Sequence, residues 1–312
     1  MSVDANRPVA LALARPRALR LLLAYVELTK PRIVMLVVMT GVPALLIAAQ
    51  GMPRPLLFFG TLMGTMFASM SAAAFNHYVD RDIDGLMRRT RTRPLPSGTL
   101  PASHALAVGF TLLLLSWSVL LVTANALAAL IAMLGIFYYA VVYSVWLKRR
   151  TPQNIVIGGG AGASAPLIAW AAVTGGLALP AWLLASIVFL WTPPHFWSLA
   201  LYRREDYARA GIPMLPVTHG ERETRRQIVL YTCVLVPVTL SLALLRLTGP
   251  IYATGAAVLG ALFVASALRL RRTGAIPDAV RTFRFSILYL FLLYLLMTVD
   301  AAVRLSGRAT GG

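Results

Sequence analysis

The chain has 312 residues, of which 58% are hydrophobic and only 13% are charged. Soluble domains contain about 25% charged residues, so this composition excludes an ordinary soluble domain and indicates a membrane protein. The formal net charge is +18, and the single cysteine, Cys233, excludes an intrachain disulfide framework or a cysteine metal site.

The first 27 residues form an arginine-rich segment with a short patch of leucines. This apolar run is too short for a membrane span and is interrupted by arginine, which argues against a targeting peptide. We predict a loosely ordered cytoplasmic arm over residues 1–27.

From residue 28 onward, apolar stretches of about 20 residues recur, which is the length that a helix needs to cross the hydrocarbon core. Backbone amides cannot stay unpaired in lipid, and the alternation typical of barrel strands is absent, so the sequence predicts an all-α bundle. The nine predicted spans cover residues 33–52, 56–76, 104–124, 126–146, 155–175, 180–201, 228–247, 250–268 and 284–304. We expect one nine-helix domain over residues 28–304 and a short external tail over residues 305–312.

The basic residues are distributed unevenly between the two ends of these spans. Of the 29 lysines and arginines, all but four lie before the first span or in alternate connections; the exceptions are Arg54, Arg246, Arg304 and Arg308. The positive-inside rule therefore predicts a cytoplasmic N-terminus and an external C-terminus. The net charge then reflects topology and contact with anionic lipid, and no nucleic-acid-binding motif is present. We predict a bacterial inner-membrane location, since no long presequence precedes the first span.

Two of the predicted cytoplasmic connections are much longer than ordinary turns. They cover residues 77–103 and 202–227 and follow the second and sixth spans. This spacing suggests a four-helix unit used twice, with a ninth helix added. Both connections would lie on the same face of the bundle, where they would cap one cytoplasmic-side cavity.

The first long connection begins with the stretch NHYVDRDIDGLMRRTRTRPLPSG. If the second helix continues into it, Asn76, Asp80 and Asp84 follow at intervals of four residues and share one face, with His77 close by and Asp82 pointing away. Two carboxylates one turn apart suit Mg²⁺, which commonly bridges carboxylates to substrate phosphates. The stretch therefore predicts a magnesium site at Asp80 and Asp84.

Several arginines follow this helix face and would supply forked donors for phosphate oxygens. They are Arg88, Arg89, Arg91 and Arg93. A metal beside arginines fits a diphosphate. The alternative is a solvated basic loop whose aspartates pair locally with arginine, but acids are scarce in this chain, and ionisable groups at membrane depth are functional candidates.

Two further charged clusters lie at the same predicted face. YSVWLKRRTPQN contains Lys148 and Arg149, and YRREDYARAG contains Arg203, Glu205 and Asp206. The cations could bind phosphate oxygens or could simply anchor the helix ends at the lipid border.

The sixth span contains LWTPPHFWSLALY, in which Pro193 and Pro194 are expected to interrupt the helix. A broken helix next to the embedded His195 suggests a site, although a structural histidine bonded to a freed carbonyl remains open. Trp191 fits either a ligand contact or an interfacial aromatic belt.

Two other features have mainly structural interpretations. GGGAGASAP, residues 158–166, lacks a preceding strand and a GK[ST] ending, so close helix packing is favoured over phosphate binding. Asp300 in the last span would pair with Arg304, four residues later.

Together these segments resemble the UbiA-type intramembrane prenyltransferases, and in particular the branch of that family that farnesylates haem. The resemblance covers residues 28–303 and is carried by NHYVDRDIDGLMRRTRTRPLPSG, YSVWLKRRTPQNIVIGGGAGASAPLIAW and LWTPPHFWSLALYRREDYARAGIPMLPV. The second family motif is usually rich in aspartate, whereas this chain has Arg203, Glu205 and Asp206 there. This departure puts a symmetric metal clamp in doubt.

The resemblance implies nine helices and transfer of farnesyl from farnesyl diphosphate to the 2-vinyl group of haem b, with addition of water, giving haem O. It implies catalytic roles for Asp80, Asp84 and Asn76, with Mg²⁺ on the two aspartates. The implied diphosphate-binding residues are Arg88, Arg89, Arg93, Lys148, Arg149 and Arg203, and the implied haem-binding residues are His195, His77 and Trp191. A haem A synthase or oxidase assembly proteins would be partners.

Two other functions fit parts of the sequence. A related prenyltransferase for an aromatic or quinone-precursor acceptor would keep Asp80 and Asp84 without needing the WTPPHFW segment. A membrane transporter or haem carrier would need polar groups along the whole crossing path, whereas here the charge is concentrated at one face.

Overall fold

The structure, a computed structural model, describes the backbone of residues 16–310 and the side chains of residues 16–304. Over this range the regular secondary structure is helical, and nine helices are long and apolar enough to cross a membrane. The helices are α1 (Arg17–Leu28), α2 (Pro31–Ala49), α3 (Pro55–Leu86), α4 (Ala102–Thr123), α5 (Ala126–Phe137), α6 (Asn154–Gly162), α7 (Ser164–Thr174), α8 (Leu179–Tyr202), α9 (Arg204–Arg209), α10 (Leu215–Thr218), α11 (Gly220–Leu244), α12 (Pro250–Thr273) and α13 (Ile276–Thr310). The predicted all-α membrane bundle is confirmed.

The second span is unusually long and extends well past its predicted end at residue 76. Helix α3 has 32 residues, so it measures about 48 Å against a hydrocarbon core of about 30 Å. It ends where Met87 turns to an extended conformation. The stretch that begins at Asn76 is therefore helical, which is the condition for its acidic residues to share a face.

The predicted loose arm is wrong for its last part, because residues 17–28 form α1. Leucines and alanines recur along this helix, and Ala24 and Leu28 pack in a small core with Leu100 and Ala105. The helix ends just before Lys30 and Pro31. Residues 1–15 of the predicted arm lie outside the described residues.

The fourth and fifth spans are irregular in the middle. After α5 the chain continues as a π-helical segment, Tyr138–Leu147, and the fifth span divides at Ala163 into α6 and α7. The ring of Tyr143 packs directly on Gly158, where any Cβ would overlap it, and Gly159 lies against Thr192 of α8. The glycines thus allow close helix packing, as the sequence indicates.

The sixth span is not interrupted at its two prolines, contrary to the prediction. Helix α8 runs continuously through Pro193 and Pro194. The two prolines remove the N–H donors for the carbonyls of Phe189 and Leu190, yet the helix continues across them and packs against α6 and α13. Ser198 Oγ donates to the Pro194 carbonyl at 2.6 Å, and Thr192 Oγ1 donates to the Val188 carbonyl at 2.8 Å.

The second long connection is more structured than predicted and much shorter. It contains the short helices α9 and α10, and α11 already begins at Gly220. Helix α13, predicted as an addition to two four-helix units, packs against α2, α8 and α12. The end of the bundle at which residues 87–101 and 203–219 lie is called the basic face below.

Asp300 on α13 does not pair with Arg304 as predicted. Its carboxylate accepts hydrogen bonds from the backbone N–H groups of Gly249 at 2.5 Å and Tyr252 at 3.3 Å, at the start of α12. The first amides of a helix lack partners within the helix and attract negative charge, which explains this choice. Arg304 donates to the carbonyl of Leu247 at 3.0 Å.

The Asp300→Ala variant should be less stable by about 1–3 kcal/mol, because it leaves buried N–H donors without an acceptor. Thermal unfolding in detergent micelles should show a lower Tm than in the unmodified protein. The control variant Arg304→Ala should have a smaller effect, since it removes only hydrogen bonds near the surface. Equal losses in both variants would favour the ion pair instead.

Candidate functional site

A buried polar cluster lies along one face of α3 near the basic face. Asn76, Asp80 and Asp84 are 3%, 1% and 1% exposed, and the structure brings them together as their spacing indicates. Asn76 Nδ2 donates to Asp80 Oδ2 at 2.7 Å and to Ser144 Oγ at 3.0 Å. Two carboxylates in such a position need nearby cations or hydrogen-bond donors to remain charged.

Lys148 supplies one of these cations. Its Nζ donates to Asp80 Oδ2, and its backbone N–H bonds the Tyr143 carbonyl five residues earlier. Lys148 follows the π-helical segment, whose wider turn changes the direction in which the following residues point. Ser144, in the same segment, is the residue that contacts Asn76.

Lys30 is a second cation at the cluster, and the sequence reasoning did not identify it. Its Nζ donates to Asn76 Oδ1 at 2.5 Å, from a left-handed backbone conformation (φ 49°) just before α2. Desolvation, followed by the charge of Arg93, lowers the pKa of Lys30 to about 7, while Asp80 acts in the opposite direction. The chain has only two lysines, Lys30 and Lys148, and both are in this cluster.

Arg93 completes the cationic border of the cluster. Its Nη1 donates to Asp84 Oδ2 at 2.6 Å, and the side chain of Arg93 is 17% exposed. Thr90 Oγ1 donates to the Asp84 carbonyl at 2.9 Å, so the connection after α3 folds back over the helix end. Lys148 and Arg93 thus cover the two aspartates on the side of the basic face.

Each aspartate keeps one oxygen without a hydrogen-bond partner. Asp80 Oδ2 and Asp84 Oδ2 are engaged by the cations, whereas both Oδ1 atoms are buried and unpaired. A divalent cation that takes one oxygen from each aspartate and the rest of its ligands from water or phosphate fits these atoms. No group of three His, Cys, Asp or Glu side chains within the described residues forms a complete protein cage for a metal. Asn76 Oδ1 accepts a hydrogen bond from Lys30, and Asn76 Nδ2 donates to Asp80, so Asn76 positions these two side chains.

Other predicted phosphate-binding residues lie around this cluster in different ways. Arg149 forms a two-pronged ion pair with Asp82, with both N–O distances at 2.7 Å, and donates to the Val79 carbonyl at 2.9 Å. This pair is substantially exposed, so the structure does not bring Arg149 to the buried aspartates. Arg88 is exposed at the end of α3.

The second charged cluster meets the first through Tyr207. Tyr207 is buried, Arg89, Arg93 and Arg203 lie close enough to influence it, and burial raises the pKa of Tyr207. Asp206 is engaged by Arg203 at 3.9 Å and by another arginine of the same short helix, Arg209, at 3.8 Å. Arg89 and Arg203 thus lie beside Tyr207, and Asp206 is already paired with cations.

The predicted haem-binding residues on α8 lie against α13. His195 Nδ1 is 2.7 Å from Ser286 Oγ, and Trp191 Nε1 donates to the Ser286 carbonyl at 2.7 Å. The His195 ring stacks between Trp191 and Phe283, at centroid distances of 4.3 Å and 4.7 Å. His77 is elsewhere, buried on α3 with Lys30 and Arg93 nearby.

In this helical membrane bundle, two buried carboxylates each keep a free oxygen and are each bordered by a cation, which is the set of groups that a divalent ion with a bound anion would need. The chain belongs to the UbiA prenyltransferase family, whose model matches residues 35–296.

Curated relatives are identical to this chain at about half of the aligned positions. The protoheme IX farnesyltransferase of Gloeobacter violaceus (strain ATCC 29082 / PCC 7421) is 49% identical over 287 residues, which cover 92% of this chain and 94% of the relative. The protein of the same name from Roseiflexus castenholzii (strain DSM 13941 / HLO8) is 50% identical over 283 residues, or 91% of this chain and 53% of the relative. The chain thus spans about half the length of that relative.

Solved structures share the fold at low sequence identity. A digeranylgeranylglyceryl phosphate synthase is 21% identical with a TM-score of 0.75, and the match covers 90% of this chain and 98% of that chain. A UbiA homologue from Archaeoglobus fulgidus, bound to GPP and Mg²⁺, is 17% identical with a TM-score of 0.58, covering 88% of this chain and 99% of that chain. These likenesses concern the architecture of the bundle.

Proposed function

We propose that the chain transfers the farnesyl group of farnesyl diphosphate to the 2-vinyl group of haem b, with addition of water, and so forms haem O. The pair of free, buried Asp oxygens bordered by cations is the observation that carries this proposal. The names of relatives that are 48–50% identical support the choice of prenyl donor and acceptor.

The diphosphate site is proposed at the acidic face of α3. Asp80 Oδ1 and Asp84 Oδ1 would hold Mg²⁺, and the Mg²⁺ in a solved family structure supports a divalent ion. When bound, this ion would neutralise charge on the diphosphate leaving group. Lys30, Lys148 and Arg93 would exchange part of their present hydrogen bonds for diphosphate oxygens, and Arg89 and Arg203 would approach from the side of Tyr207.

The cations explain how the chain could promote cleavage of the allylic bond. As the carbon–oxygen bond breaks, its electron pair leaves with the diphosphate, so negative charge grows where the lysines and arginines already lie. Hydrogen-bond donors that are already fixed in a water-poor site stabilise this growing charge. They therefore stabilise the transition state more strongly than the bound substrate. The electrons of the vinyl group then form the new carbon–carbon bond, and water adds to the resulting cation with loss of a proton.

The acceptor is proposed to contact α8 and α13. Nδ1 of His195 is already engaged by Ser286, so Nε2 is the atom left to meet the iron or a propionate of haem. Trp191 and Phe283 would offer aromatic surface on either side, and His77 would line the acceptor side of the acidic cluster.

We further propose that the basic face is cytoplasmic, in a bacterial inner membrane, with the tail after residue 304 outside. The excess of lysine and arginine at this face supports that orientation. Residues 28–304 would act as one domain, and the product would pass to a haem A synthase or to oxidase assembly proteins.

Product analysis tests the reaction directly. Purified protein is incubated with farnesyl diphosphate, Mg²⁺ and haem b, and the extracted haem is measured by mass spectrometry. We expect haem that has gained one farnesyl group and one hydroxyl group. Unmodified haem, together with prenylation of a hydroxybenzoate or quinone precursor in a parallel reaction, would instead identify a different acceptor.

The haem contact of His195 can be examined by spectroscopy. In the His195→Ala variant we expect a shifted or weakened Soret band of protein-bound haem and a lower turnover, because the imidazole between Trp191 and Phe283 is lost. His104→Ala is the matched control, since His104 lies at the surface and bonds Tyr25. An unchanged spectrum and unchanged turnover in His195→Ala would exclude the residue from the haem site.

A further inference from the structure

A basic cavity lies at the basic face, formed by the start of α11 and the end of α12. Its volume is about 640 Å³. The residues that line it are His219, Arg222, Glu223, Arg225, Arg226 and Arg271. None of them belongs to the acidic cluster of α3, so the cavity is a separate feature of the molecule.

The charge of this cavity is strongly unbalanced. Four guanidinium groups face a single carboxylate, Glu223, which already accepts from Arg226 at 3.4 Å and from Gln227 at 2.7 Å. Within the part of the chain that the structure describes, Arg222 and Arg271 form no ion pair. The cavity therefore offers forked donors to an anion, and phosphate oxygens match their geometry.

The position of the cavity along the helices places it at the level of lipid headgroups. Helix α11 has 25 residues and measures about 37 Å, several ångströms more than the hydrocarbon core of about 30 Å. The arginines lie in its first two turns, and the buried apolar residues begin behind them at Ile228 and Val229. Arg271 lies in the last turn of the neighbouring helix, at the same end of the bundle.

One wall of the cavity is held in place by the turn between α12 and α13. Gly274 has a left-handed conformation (φ 63°), and the guanidinium of Arg225 lies so close that a Cβ at this glycine would be 3.0 Å from Nη1. Arg225 also reaches Glu221 at 3.3 Å. A general excess of positive charge at this face explains the presence of arginines, but not their convergence from two helices on one cavity.

We propose that this cavity binds the phosphodiester headgroup of an anionic phospholipid, with a preference for a headgroup that contains two phosphates. Basic pockets between membrane helices are recurrent sites for such headgroups. Two phosphates would match the excess of guanidinium groups over carboxylates in the cavity. The acyl chains would extend along the lipid-facing sides of α11 and α12. This site is independent of the proposed prenyl transfer.

Native mass spectrometry in a neutral detergent tests the proposal. The protein is titrated with tetraoleoyl cardiolipin, with dioleoyl phosphatidylcholine, and with inorganic phosphate as a competitor. The Arg222→Ala/Arg271→Ala variant should bind cardiolipin about 25-fold more weakly, at roughly fivefold per arginine. Arg272→Ala is the matched control, because this neighbouring exposed arginine does not line the cavity. The affinity of this variant for cardiolipin should stay within about twofold of that of the unmodified protein.

A second variant separates loss of binding from loss of structure. Arg222→Lys/Arg271→Lys keeps both charges, so it should retain more cardiolipin binding than the alanine variant. Equal affinity for phosphatidylcholine, an equal loss in Arg272→Ala, or displacement of cardiolipin by millimolar inorganic phosphate would each overturn the proposal. The last outcome would indicate a site for a soluble phosphate.

Discussion

Asp80→Asn and Asp84→Asn should each lower farnesyl transfer by at least about 10³-fold, measured as haem O formed per enzyme at saturating Mg²⁺. Each substitution preserves the shape of the side chain but removes the negative charge that would bind the divalent ion. Asparagine also leaves Lys148 or Arg93 without its carboxylate partner. The loss should appear in kcat, because the charge of the leaving group develops during bond cleavage.

Asp82→Asn is the matched control for this pair. Asp82 lies in the same turn of α3, but its side chain is 60% exposed and is held by Arg149. Its neutralisation should leave turnover within a few-fold of normal, and all three variants should insert into membranes equally well. Normal activity in Asp80→Asn or Asp84→Asn would contradict the proposed metal site.

The Lys30→Met variant should lower kcat by about 10²-fold, since it removes one fixed donor from the region where negative charge develops. Methionine keeps an unbranched apolar side chain of similar length, so packing around Asn76 should largely persist. Initial rates measured at several concentrations of farnesyl diphosphate, at fixed haem and Mg²⁺, would separate the effects on kcat and KM.

Arg32→Met controls for the loss of one positive charge near the start of α2. Arg32 is exposed, so its replacement should have little effect on turnover. If Lys30→Met and Arg32→Met behave alike, Lys30 acts only through general charge at this face. A larger effect of Lys30→Met on KM than on kcat would show that the lysine contributes to ground-state binding only.

Hydropathy and residue spacing predicted the larger features of this protein. Nine apolar stretches gave the bundle, because each crossing of the hydrocarbon core needs a fixed length of helix. The interval of four residues between Asn76, Asp80 and Asp84 predicted a shared face, which depends only on helical geometry. Both features are local properties of the chain, so they can be predicted from one sequence without knowledge of the tertiary contacts.

Features that depend on tertiary contacts were not predictable in this way. Lys30 lies at a helix border, where a lysine usually acts as a lipid anchor, and only folding brings it to Asn76. The family resemblance implied that Arg149 binds the diphosphate together with Lys148, but the two side chains contact different aspartates after the π-helical segment. The partner of Asp300 likewise depended on how α12 and α13 pack.

The α8 segment shows the same limit for the proposed acceptor site. The sequence predicted that His195 is embedded, and it is buried in α8, but the sequence also predicted a broken helix at Pro193 and Pro194. The helix instead stays continuous across both prolines, and it packs closely against α6 and α13. His195 and Trp191 therefore share one partner, Ser286, which no spacing rule relates to them.

A structure determined with Mg²⁺ and a farnesyl thiodiphosphate that ionises slowly would test the central proposal most directly. We expect metal density within about 2.0–2.1 Å of Asp80 Oδ1 and Asp84 Oδ1. Diphosphate oxygens should complete its coordination and should contact Lys30, Lys148 and Arg93. Diphosphate bound elsewhere, with both aspartates still covered by the same lysine and arginine and no metal between them, would contradict this account.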